Sequence, residues 1–392
     1  MPPRRGAAAP GSTASSPILR IIAFGIALRL LSAGLGLFAN VVFPLHEKQQ
    51  FTVMGRPHAF WDAFARYDSG WYHGIARDGY AWVEGGRSNL AFFPAYPLSM
   101  RYVGRLLGSR PHHLYLGGIL ISWVAFVVAL LLLYRLARLD VDEEAALRTV
   151  HYAALFPFAF FYGLVYSEAL FLCMMVASFY GFRTRNWALA GLAGAVAVGT
   201  RVNGIMAAPA MAWIAWASVR EDRKAWPGAV TALALVAAGF ATWCAFNWQL
   251  SGNPLEWKAS IERWGYYPGG LPTQLSSLAW TLLTRPYEYL VHDPAAPADT
   301  LNGLSALLVV ACIPFVWWRL GTGYALFMAA NLALPLSSGS FLGLGRYCAV
   351  LFPFFIWLGG FRGQTTKTAL VALFAGLYVL CLALFTTLHP IY

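Results

Sequence analysis

The chain has 392 residues, of which 59% are hydrophobic and 11% charged, with a formal net charge of +11. An ordinary soluble domain carries about 25% charged residues, so the composition excludes that class and indicates a polytopic membrane protein. The basic residues are scattered singly between apolar runs, so the positive charge does not form the patch typical of a nucleic-acid-binding protein.

Residues 1–17 are rich in Ala, Pro, Gly and Ser, which predicts a disordered cytoplasmic tail. We expect residues 18–392 to form a single transmembrane domain. Its apolar runs reach the length of about 20 residues that a helix needs to cross roughly 30 Å of hydrocarbon. The predicted fold is therefore an all-α membrane bundle of about eleven helices. The predicted helices are 18–43, 114–134, 150–166, 168–183, 187–200, 203–219, 228–250, 301–318, 322–337, 346–360 and 368–388.

The distribution of basic residues favours a cytoplasmic N-terminus. With that orientation, the short inside loops carry Arg135, Arg138, Arg148, Arg183, Arg185, Arg220, Arg223, Lys224, Arg319, Arg362 and Lys367, as the positive-inside rule expects. Two long loops, about 44–113 and 251–300, then lie outside. We expect short interfacial helices in the first of them. The arginine-rich tail and the absence of retention signals favour the plasma (inner) membrane of a bacterium.

The segment 61–80 in the first outer loop is where the sequence places its chemistry. Five of its residues fall on one helical face: Phe64, Asp68, Trp71, Tyr72 and Ile75. A carboxylate among aromatic side chains at a membrane boundary is costly without a partner or a function. Asp68 is therefore the leading candidate for a general base. The alternative is structural: Asp68 caps the helix or pairs with Arg66 or Arg77.

Other features of the first loop have structural explanations. Asp62 stands four residues before Arg66, which predicts a helical ion pair, and Asp78 with Gly79 is typical of a turn. In the segment 89–98, two prolines are expected to stop any regular helix. That aromatic segment either closes a pocket against the membrane or forms a plain interfacial turn.

Three charged residues at the ends of later spans would reach the same outer face. Glu168 stands where two apolar runs meet, Arg201 occupies the next outward turn, and Arg346 begins a later span. Guanidinium groups bind phosphate oxygens with paired hydrogen bonds, so both arginines are candidate ligands for a lipid phosphate. The alternative is that they anchor the protein to ordinary phospholipid headgroups.

The sequence contains one misleading motif. Asp140-Val141-Asp142 has the D-x-D form of metal-dependent sugar-nucleotide transferases, but it falls in a predicted cytoplasmic loop and is typical of an acidic helix start. The five cysteines lie in apolar runs without metal-type spacing. We therefore expect no metal and no cofactor.

Several motifs together resemble those of PIG-V-type mannosyltransferases, a family that includes the second mannosyltransferase of glycosylphosphatidylinositol anchor synthesis and bacterial relatives. The resemblance spans most of the chain. It rests on Tyr-Asp-Ser-Gly-Trp-Tyr at 67–72, Ala-Phe-Phe-Pro-Ala-Tyr-Pro at 91–97, Tyr-Ser-Glu-Ala-Leu-Phe-Leu at 166–172, Thr-Arg-Val-Asn-Gly at 200–204, and Arg-Tyr at 346–347.

The resemblance implies a GT-C fold with an active site on the outer face, a polyprenyl-phosphate sugar donor and Asp68 as the catalytic base. Two departures from the family's pattern, Tyr67 in place of Trp and no acidic residue at 87–90, concern the acceptor and the sugar more than the reaction class. The candidate substrate-binding residues are Trp71, Tyr72, His73, Glu168, Asn203 and Tyr347, beside Arg201 and Arg346 for the donor phosphate.

The resulting hypothesis is a membrane glycosyltransferase that moves mannose, with inversion, from a polyprenyl-phosphate donor to a glycolipid or glycan acceptor. Membrane lipids are expected partners, and nucleic acid is not. One alternative is a GT-C transferase for another sugar, such as arabinose or galactose. Another is a flippase or transporter for a lipid-linked sugar, which would use the same arginines without a base. A non-catalytic scaffold is disfavoured by the two large aromatic loops.

Overall fold

The computed structural model describes residues 16–46, 58–108, 110–264, 271–288, 296–337 and 341–391. Every regular element in these ranges is a helix. The predicted tail lies outside them except for its last two residues, and helix α1 begins at Pro17. The all-α fold class predicted from composition is confirmed.

The connections between the helices range from a single residue, as at Gly321, to long segments such as 79–94. The first are α1 (Pro17–Val42), α2 (Ala59–Asp62), α3 (Asp68–Asp78), α4 (Ala95–Leu107), α5 (Pro111–Ala137) and α6 (Glu143–Leu155). Next come α7 (Glu168–Thr184), α8 (Trp187–Val198), α9 (Asn203–Met206), α10 (Ala208–Glu221), α11 (Trp226–Ser251), α12 (Glu256–Arg263) and α13 (Leu271–Thr284). The last are α14 (Ala296–Leu320), α15 (Thr322–Leu336), α16 (Leu344–Ala349), α17 (Phe352–Gly359) and α18 (Gln364–Thr386). Short 3-10 turns occupy Asn89–Ala91, Ala159–Gly163 and Arg223–Ala225.

Five helices in the described ranges are long and apolar enough to cross a membrane. They are α1, α5, α11 with the turn before it, α14 from Ala298, and α18. Helices α8 and α15 are apolar but shorter. The predicted number of about eleven spanning helices is therefore not confirmed.

Three predicted helices are interrupted, and a proline stands at each interruption. The helix predicted over 150–166 ends at Leu155, one residue before the pair Phe156-Pro157. The helix predicted over 203–219 divides into α9 and α10, and the one predicted over 346–360 divides into α16 and α17; α10 and α17 each carry a proline in the first turn. Proline lacks an N–H and disfavours helical backbone at the residue before it, which favours a break at these three positions. Pro314 and Pro335, by contrast, lie inside α14 and α15.

The first loop carries short helices, as predicted, but the expectation that its two prolines exclude a regular helix is wrong. Helix α4 begins at Ala95 and contains Pro97 in its first turn. A proline is tolerated there because the first N–H groups of a helix have no intrahelical partner. Helix α4 lies directly on α5, where a side chain at Gly104 would come within 2.7 Å of the Leu114 Cα.

Packing brings the ends of several helices together. Helix α7 packs between α5 and α8, α8 packs against α11, and α1 packs against α5 and α18. The core between them is rich in fully buried Phe and Tyr side chains. Near one end of this bundle lie the starts of α3 and α7, the connection between α8 and α9, and helix α16, which carry the charged candidates.

Candidate active site

Four of the predicted residues form one continuous chain of ion pairs. Arg346 Nη1 donates to Asp68 Oδ2 at 2.9 Å, and Arg346 Nε lies 3.0 Å from Glu168 Oε1. The same Glu168 oxygen accepts a hydrogen bond from Arg201 Nη1. The order is therefore Asp68, Arg346, Glu168, Arg201, with two formal negative and two formal positive charges.

Burial divides this chain into an inner and an accessible end. The side chain of Glu168 is 0% exposed, and those of Arg201 and Arg346 are 8% and 11% exposed. The Asp68 side chain is 27% exposed, the most of the four. The carboxylate proposed as a base is thus the one that a substrate can reach, while Glu168 lies behind the two guanidinium groups.

Aromatic rings hold both arginines. The Arg346 guanidinium lies over the rings of Phe161 and Tyr166, at 5.1 Å from each centroid, and Arg201 lies over Tyr347 at 5.2 Å. Such contacts stabilise a cation that has lost part of its water. Phe161 was not singled out in the sequence, because it lies in an apolar run and only the 3-10 turn Ala159–Gly163 directs it here.

The backbone before Asp68 is held in an uncommon conformation. Tyr67, the N-cap of α3, has φ of 50°, in the region that non-glycine residues rarely occupy. Its hydroxyl donates to the His389 carbonyl at 3.0 Å, and the Tyr166 hydroxyl donates to the Arg66 carbonyl at 3.1 Å. These contacts fix the direction in which Asp68 leaves the start of α3.

The structural alternatives for Asp68 are not observed. Asp68 is the first residue of α3 and not its cap. Arg66 lies 3.5 Å from Asp62, as the spacing predicted, although helix α2 ends at Asp62. Arg77 pairs with Asp78 at 2.7 Å on the exposed end of α3. Asp68 instead pairs with Arg346, which lies 278 positions later in the chain.

Two aromatic candidates lie beside the ion pairs. The Tyr72 hydroxyl is 3.0 Å from the Ser167 hydroxyl, next to Glu168, and burial raises the pKa of Tyr72 so that it stays protonated. The Trp71 ring stacks on Phe92 at 5.9 Å and meets the edge of Trp264 at 4.8 Å. We call Trp71, Phe92 and Trp264 the aromatic wall.

The aromatic wall joins the two long loops. Trp264 follows α12, in the second predicted outer loop, and its indole N–H donates to the Ser88 carbonyl of the first loop at 3.5 Å. The Arg87 guanidinium lies over the Trp264 ring at 5.2 Å. The remainder of the aromatic segment after Trp264, residues 265–270, lies outside the described ranges.

Two other candidates are not joined to the ion pairs. His73 faces α5, where its ring stacks on Tyr115 at 4.2 Å and its Nε2 lies 3.2 Å from the Pro111 carbonyl oxygen. Burial lowers the pKa of His73. Asn203 begins α9, two residues after Arg201, and is fully buried; neither of its amide atoms has a hydrogen-bond partner among the described residues.

The D-x-D motif is structural, as the sequence indicated. Asp142 caps α6 by accepting a hydrogen bond from the Ala145 N–H at 2.9 Å. Asp140 accepts two hydrogen bonds from Arg183, at 2.8 and 2.9 Å, and one from the Tyr324 hydroxyl at 2.9 Å. Within the described ranges, no three His, Cys, Asp or Glu residues are grouped closely enough to hold a metal ion.

The geometry combines a reachable carboxylate with two buried cations. A carboxylate at the exposed end of such a network can accept a proton from a bound hydroxyl group. Two guanidinium groups close to it can stabilise negative charge that develops on a phosphate. The aromatic wall offers flat apolar surfaces, and its Trp71 lies three residues after Asp68 in α3.

Comparison with known proteins identifies the family. The model of the mannosyltransferase (PIG-V) family matches residues 42–240, half of the chain. This range contains Asp68, Glu168 and Arg201, and it ends before Arg346. No curated protein sequence matches the chain.

Two solved structures share the fold. ArnT from Cupriavidus metallidurans, crystallised with undecaprenyl phosphate, matches with a TM-score of 0.51 and 13% identity over 95% of this chain and 76% of ArnT. The oligosaccharyltransferase of Archaeoglobus fulgidus, in the apo form, matches with a TM-score of 0.50 and 14% identity over 94% of this chain and 56% of the other. The chain thus spans just over half the length of that oligosaccharyltransferase.

At these identities the likeness concerns the fold, which is the one that the sequence motifs implied. The apolar helices and the family match agree with each other. The chain belongs to the mannosyltransferase (PIG-V) family and is a multi-pass membrane protein with the GT-C fold.

Proposed function

We propose that the protein is a glycosyltransferase that moves mannose from a polyprenyl-phosphate donor to a glycolipid or glycan acceptor, with inversion at the sugar carbon. The observation that carries the proposal is the ion-pair chain that links the accessible Asp68 to Arg346, Glu168 and Arg201. The family's description as mannosyltransferases supports the sugar. The polyprenyl phosphate bound by ArnT, which has a similar fold, supports the donor class.

In this proposal, Asp68 is the general base of a single displacement. An acceptor hydroxyl transfers its proton to the Asp68 carboxylate while its oxygen attacks the anomeric carbon of the donor sugar. The bond between that carbon and the phosphate oxygen breaks, and the polyprenyl phosphate leaves with the electron pair. A phosphate monoester leaves without protonation, so one carboxylate suffices when cations stabilise its charge.

The donor phosphate would also activate the base. Without substrate, Arg346 Nη1 is bonded to Asp68 Oδ2, so the arginine occupies an oxygen that would accept the proton. The donor phosphate is a diester with one negative charge, which approaches two as the bond to the sugar breaks, and its oxygens match the guanidinium fork. When Arg346 turns to the phosphate, Asp68 is released next to the bound donor. Proton transfer is then coupled to donor binding.

We assign Glu168 a positioning role in this scheme. Its side chain is fully buried and touches Arg346 and Arg201 from behind, so it is not placed to meet a sugar. With Glu168 charged, the formal charges of Asp68, Glu168, Arg201 and Arg346 sum to zero. The two buried arginines are therefore compensated before a phosphate binds. Trp71 and the rest of the aromatic wall are the proposed surface for a sugar ring.

We further propose that the N-terminus is cytoplasmic and that the site faces the outside. The positive-inside distribution of Arg and Lys in the short loops supports this orientation. Both loops that build the aromatic wall would then be external. A lipid-linked donor can enter such a site sideways from the membrane.

The test compares Asp68→Asn with Asp78→Asn. Both residues belong to α3, and both changes replace a carboxylate by an amide. Among the described residues, however, Asp78 forms an ion pair with the exposed Arg77 alone. Purified variants in lipid vesicles receive labelled polyprenyl-phosphate mannose and membranes from cells that lack the protein as the acceptor source. We expect transfer by Asp68→Asn to fall about 100- to 10,000-fold and transfer by Asp78→Asn to stay within about twofold of wild type.

Donor binding separates the base from a binding role. Asp68→Asn should bind polyprenyl-phosphate mannose at least as tightly as the wild type, because it no longer competes for Arg346. Full transfer by Asp68→Asn would remove Asp68 from the mechanism. If neither the wild type nor the variants transfer mannose although the donor binds, another sugar or a transport function takes precedence.

A further inference from the structure

A second charged site lies at the far end of α10 from Arg201. A cleft of about 510 Å³ opens where α10 ends and α11 begins, and its lining residues are Trp216, Val219, Arg220, Arg223 and Trp226. Helix α10 has 14 residues, which corresponds to a length of roughly 20 Å. Because Arg201 precedes the start of this helix, the cleft is separated from the ion-pair chain by about the length of α10.

The cleft carries positive charge that nearby acids do not balance. The two acidic residues of the same connection, Glu221 and Asp222, both turn to Arg185, at 2.7 and 3.6 Å. Among the described residues, neither Arg220 nor Arg223 has a carboxylate within ion-pair distance. Two guanidinium groups from different elements thus face one opening without a counter-ion.

Aromatic side chains frame these cations. The Arg220 guanidinium lies over the Trp216 ring at 4.8 Å from the centroid, and Trp226 on the opposite side is 61% exposed. Val230, one helical turn after Trp226, is also exposed. An apolar strip therefore runs from the cleft along α11.

The cleft lies at one end of a candidate membrane span, where the span would meet the lipid headgroups. The apolar stretch Arg223–Ser251 is one of the candidate spans, and the cleft lies at its first residues. Trp and Arg are enriched where a span meets the headgroup region, because each has an apolar part and a polar part. A phosphate at this depth lies beside the guanidinium groups, and a hydrocarbon chain attached to it runs along the exposed strip.

We propose that this cleft binds the headgroup of an acidic phospholipid, with the phosphate between Arg220 and Arg223 and an acyl chain along Trp226 and Val230. The unbalanced charge selects an anionic headgroup over a zwitterionic one. The exposed Trp226 and Val230 favour a lipid over a free phosphate. Its place at the other end of α10 from Arg201 makes it distinct from the proposed donor site, so this site does not depend on sugar transfer.

The test measures retention of phosphatidylglycerol by the full-length protein in detergent, by native mass spectrometry during lipid titration. The cleft variant is Arg220→Gln with Arg223→Gln. The matched control is Arg135→Gln with Arg319→Gln, which also removes two exposed arginines, at the ends of α5 and α14. We expect wild type and control to bind phosphatidylglycerol about tenfold or more tightly than phosphatidylcholine, and the cleft variant to lose that preference.

A second variant and two competitors identify the ligand. Trp226→Ser keeps both arginines and should weaken phosphatidylglycerol binding by removing the apolar strip. Glycerol 3-phosphate has no acyl chain and should not displace phosphatidylglycerol at equal concentration, and undecaprenyl phosphate should not be bound in preference to it. The proposal is overturned if the double Arg variant keeps wild-type affinity, if glycerol 3-phosphate competes as well as the lipid does, or if undecaprenyl phosphate binds in preference.

Discussion

The two ends of helix α7 carry ion pairs of opposite character. At its start, Glu168 shares one oxygen between Arg346 and Arg201, and its other oxygen has no hydrogen-bond partner in the described part of the chain. In its last turn, Arg183 forms two hydrogen bonds with Asp140, which the Tyr324 hydroxyl also contacts. One cluster is open to a further partner, and the other is closed.

This difference supports the proposal that the cluster at the start of α7 serves a ligand and the one at its end serves structure. A bidentate arginine–carboxylate pair uses the geometry of both groups, so it stabilises the contact of α7 with its neighbours and leaves nothing to bind. The network at the start of α7 ends at Asp68, which is partly accessible. Charged groups that are desolvated but incompletely partnered are typical of functional sites. Substitutions at the two ends should therefore separate stability from activity.

The largest effect is expected from Glu168→Gln. The change leaves two buried guanidinium groups without their shared counter-ion, and removing one partner of a buried pair costs about 3–5 kcal/mol. Transfer should be lost as well, because Arg346 and Arg201 lose the group that positions them. Denaturant unfolding in micelles measures the first effect, and mannose transfer in vesicles measures the second.

Glu144→Gln is the matched control for this change. Glu144 lies 3.5 Å from Arg148, but its side chain is 88% exposed. Solvent screens such a pair, so the control should unfold as the wild type does. If Glu168→Gln and Glu144→Gln had the same unfolding midpoint, the ion pairs of Glu168 with Arg346 and Arg201 would not contribute to the stability of the fold.

We expect Asp140→Asn to lower the free energy of unfolding less than Glu168→Gln does and to leave mannose transfer nearly unchanged. The amide cannot accept both Arg183 hydrogen bonds and carries no charge, so unfolding should become easier by about 1–3 kcal/mol. Mannose transfer by the folded fraction should stay within about twofold of wild type, because the ion-pair chain is at the other end of α7. A folded Asp140→Asn variant with strongly reduced transfer would show that the closed cluster participates in function.

The smallest effect is expected from Asp142→Ala. This change removes the N-cap of α6 and the exposed contact with Arg362, and loss of a cap costs about 1 kcal/mol. Asp142→Ser restores a capping oxygen without the charge and should recover most of the loss. If the folded Asp142→Ala and Asp142→Ser variants both lost mannose transfer, the loss of the cap would not explain that result. The D-x-D motif would then have a catalytic interpretation.

Local sequence patterns predicted the presence of the helices better than they predicted where each helix begins and ends. The spacing in 61–80 predicted one helical face made of Phe64, Asp68, Trp71, Tyr72 and Ile75. Helix α3 contains the last four, whereas Phe64 lies in the connection between α2 and α3. The capping role of Asp142 also followed from its neighbours. The breaks near Pro157, Pro209 and Pro353 were missed because a uniformly apolar run shows no helical periodicity that would mark an end.

The sequence predicted which charged residues lie at the candidate site, but it did not predict which of them pair with each other. Sequence patterns brought Asp68, Glu168, Arg201 and Arg346 to one face of a membrane protein. They gave no sign that Arg346 would lie between two carboxylates, or that His73 would turn toward α5 and away from the network. The face of a helix on which a side chain lies follows from the spacing of neighbouring residues in the sequence. The partner of that side chain depends on how helices distant in the sequence pack together.

The sequence by itself determined the membrane class, the family and the residue types at the site. These depend on composition, on the length of apolar runs and on short motifs, all of which are properties of neighbouring residues. Only the tertiary structure decided that Glu168 is shared by two arginines, that Trp264 of one loop meets Trp71 of the other, and that Arg220 and Arg223 share a cleft. Each of these depends on the packing of separate helices or on the shape of a connection, which periodicity along the chain does not record.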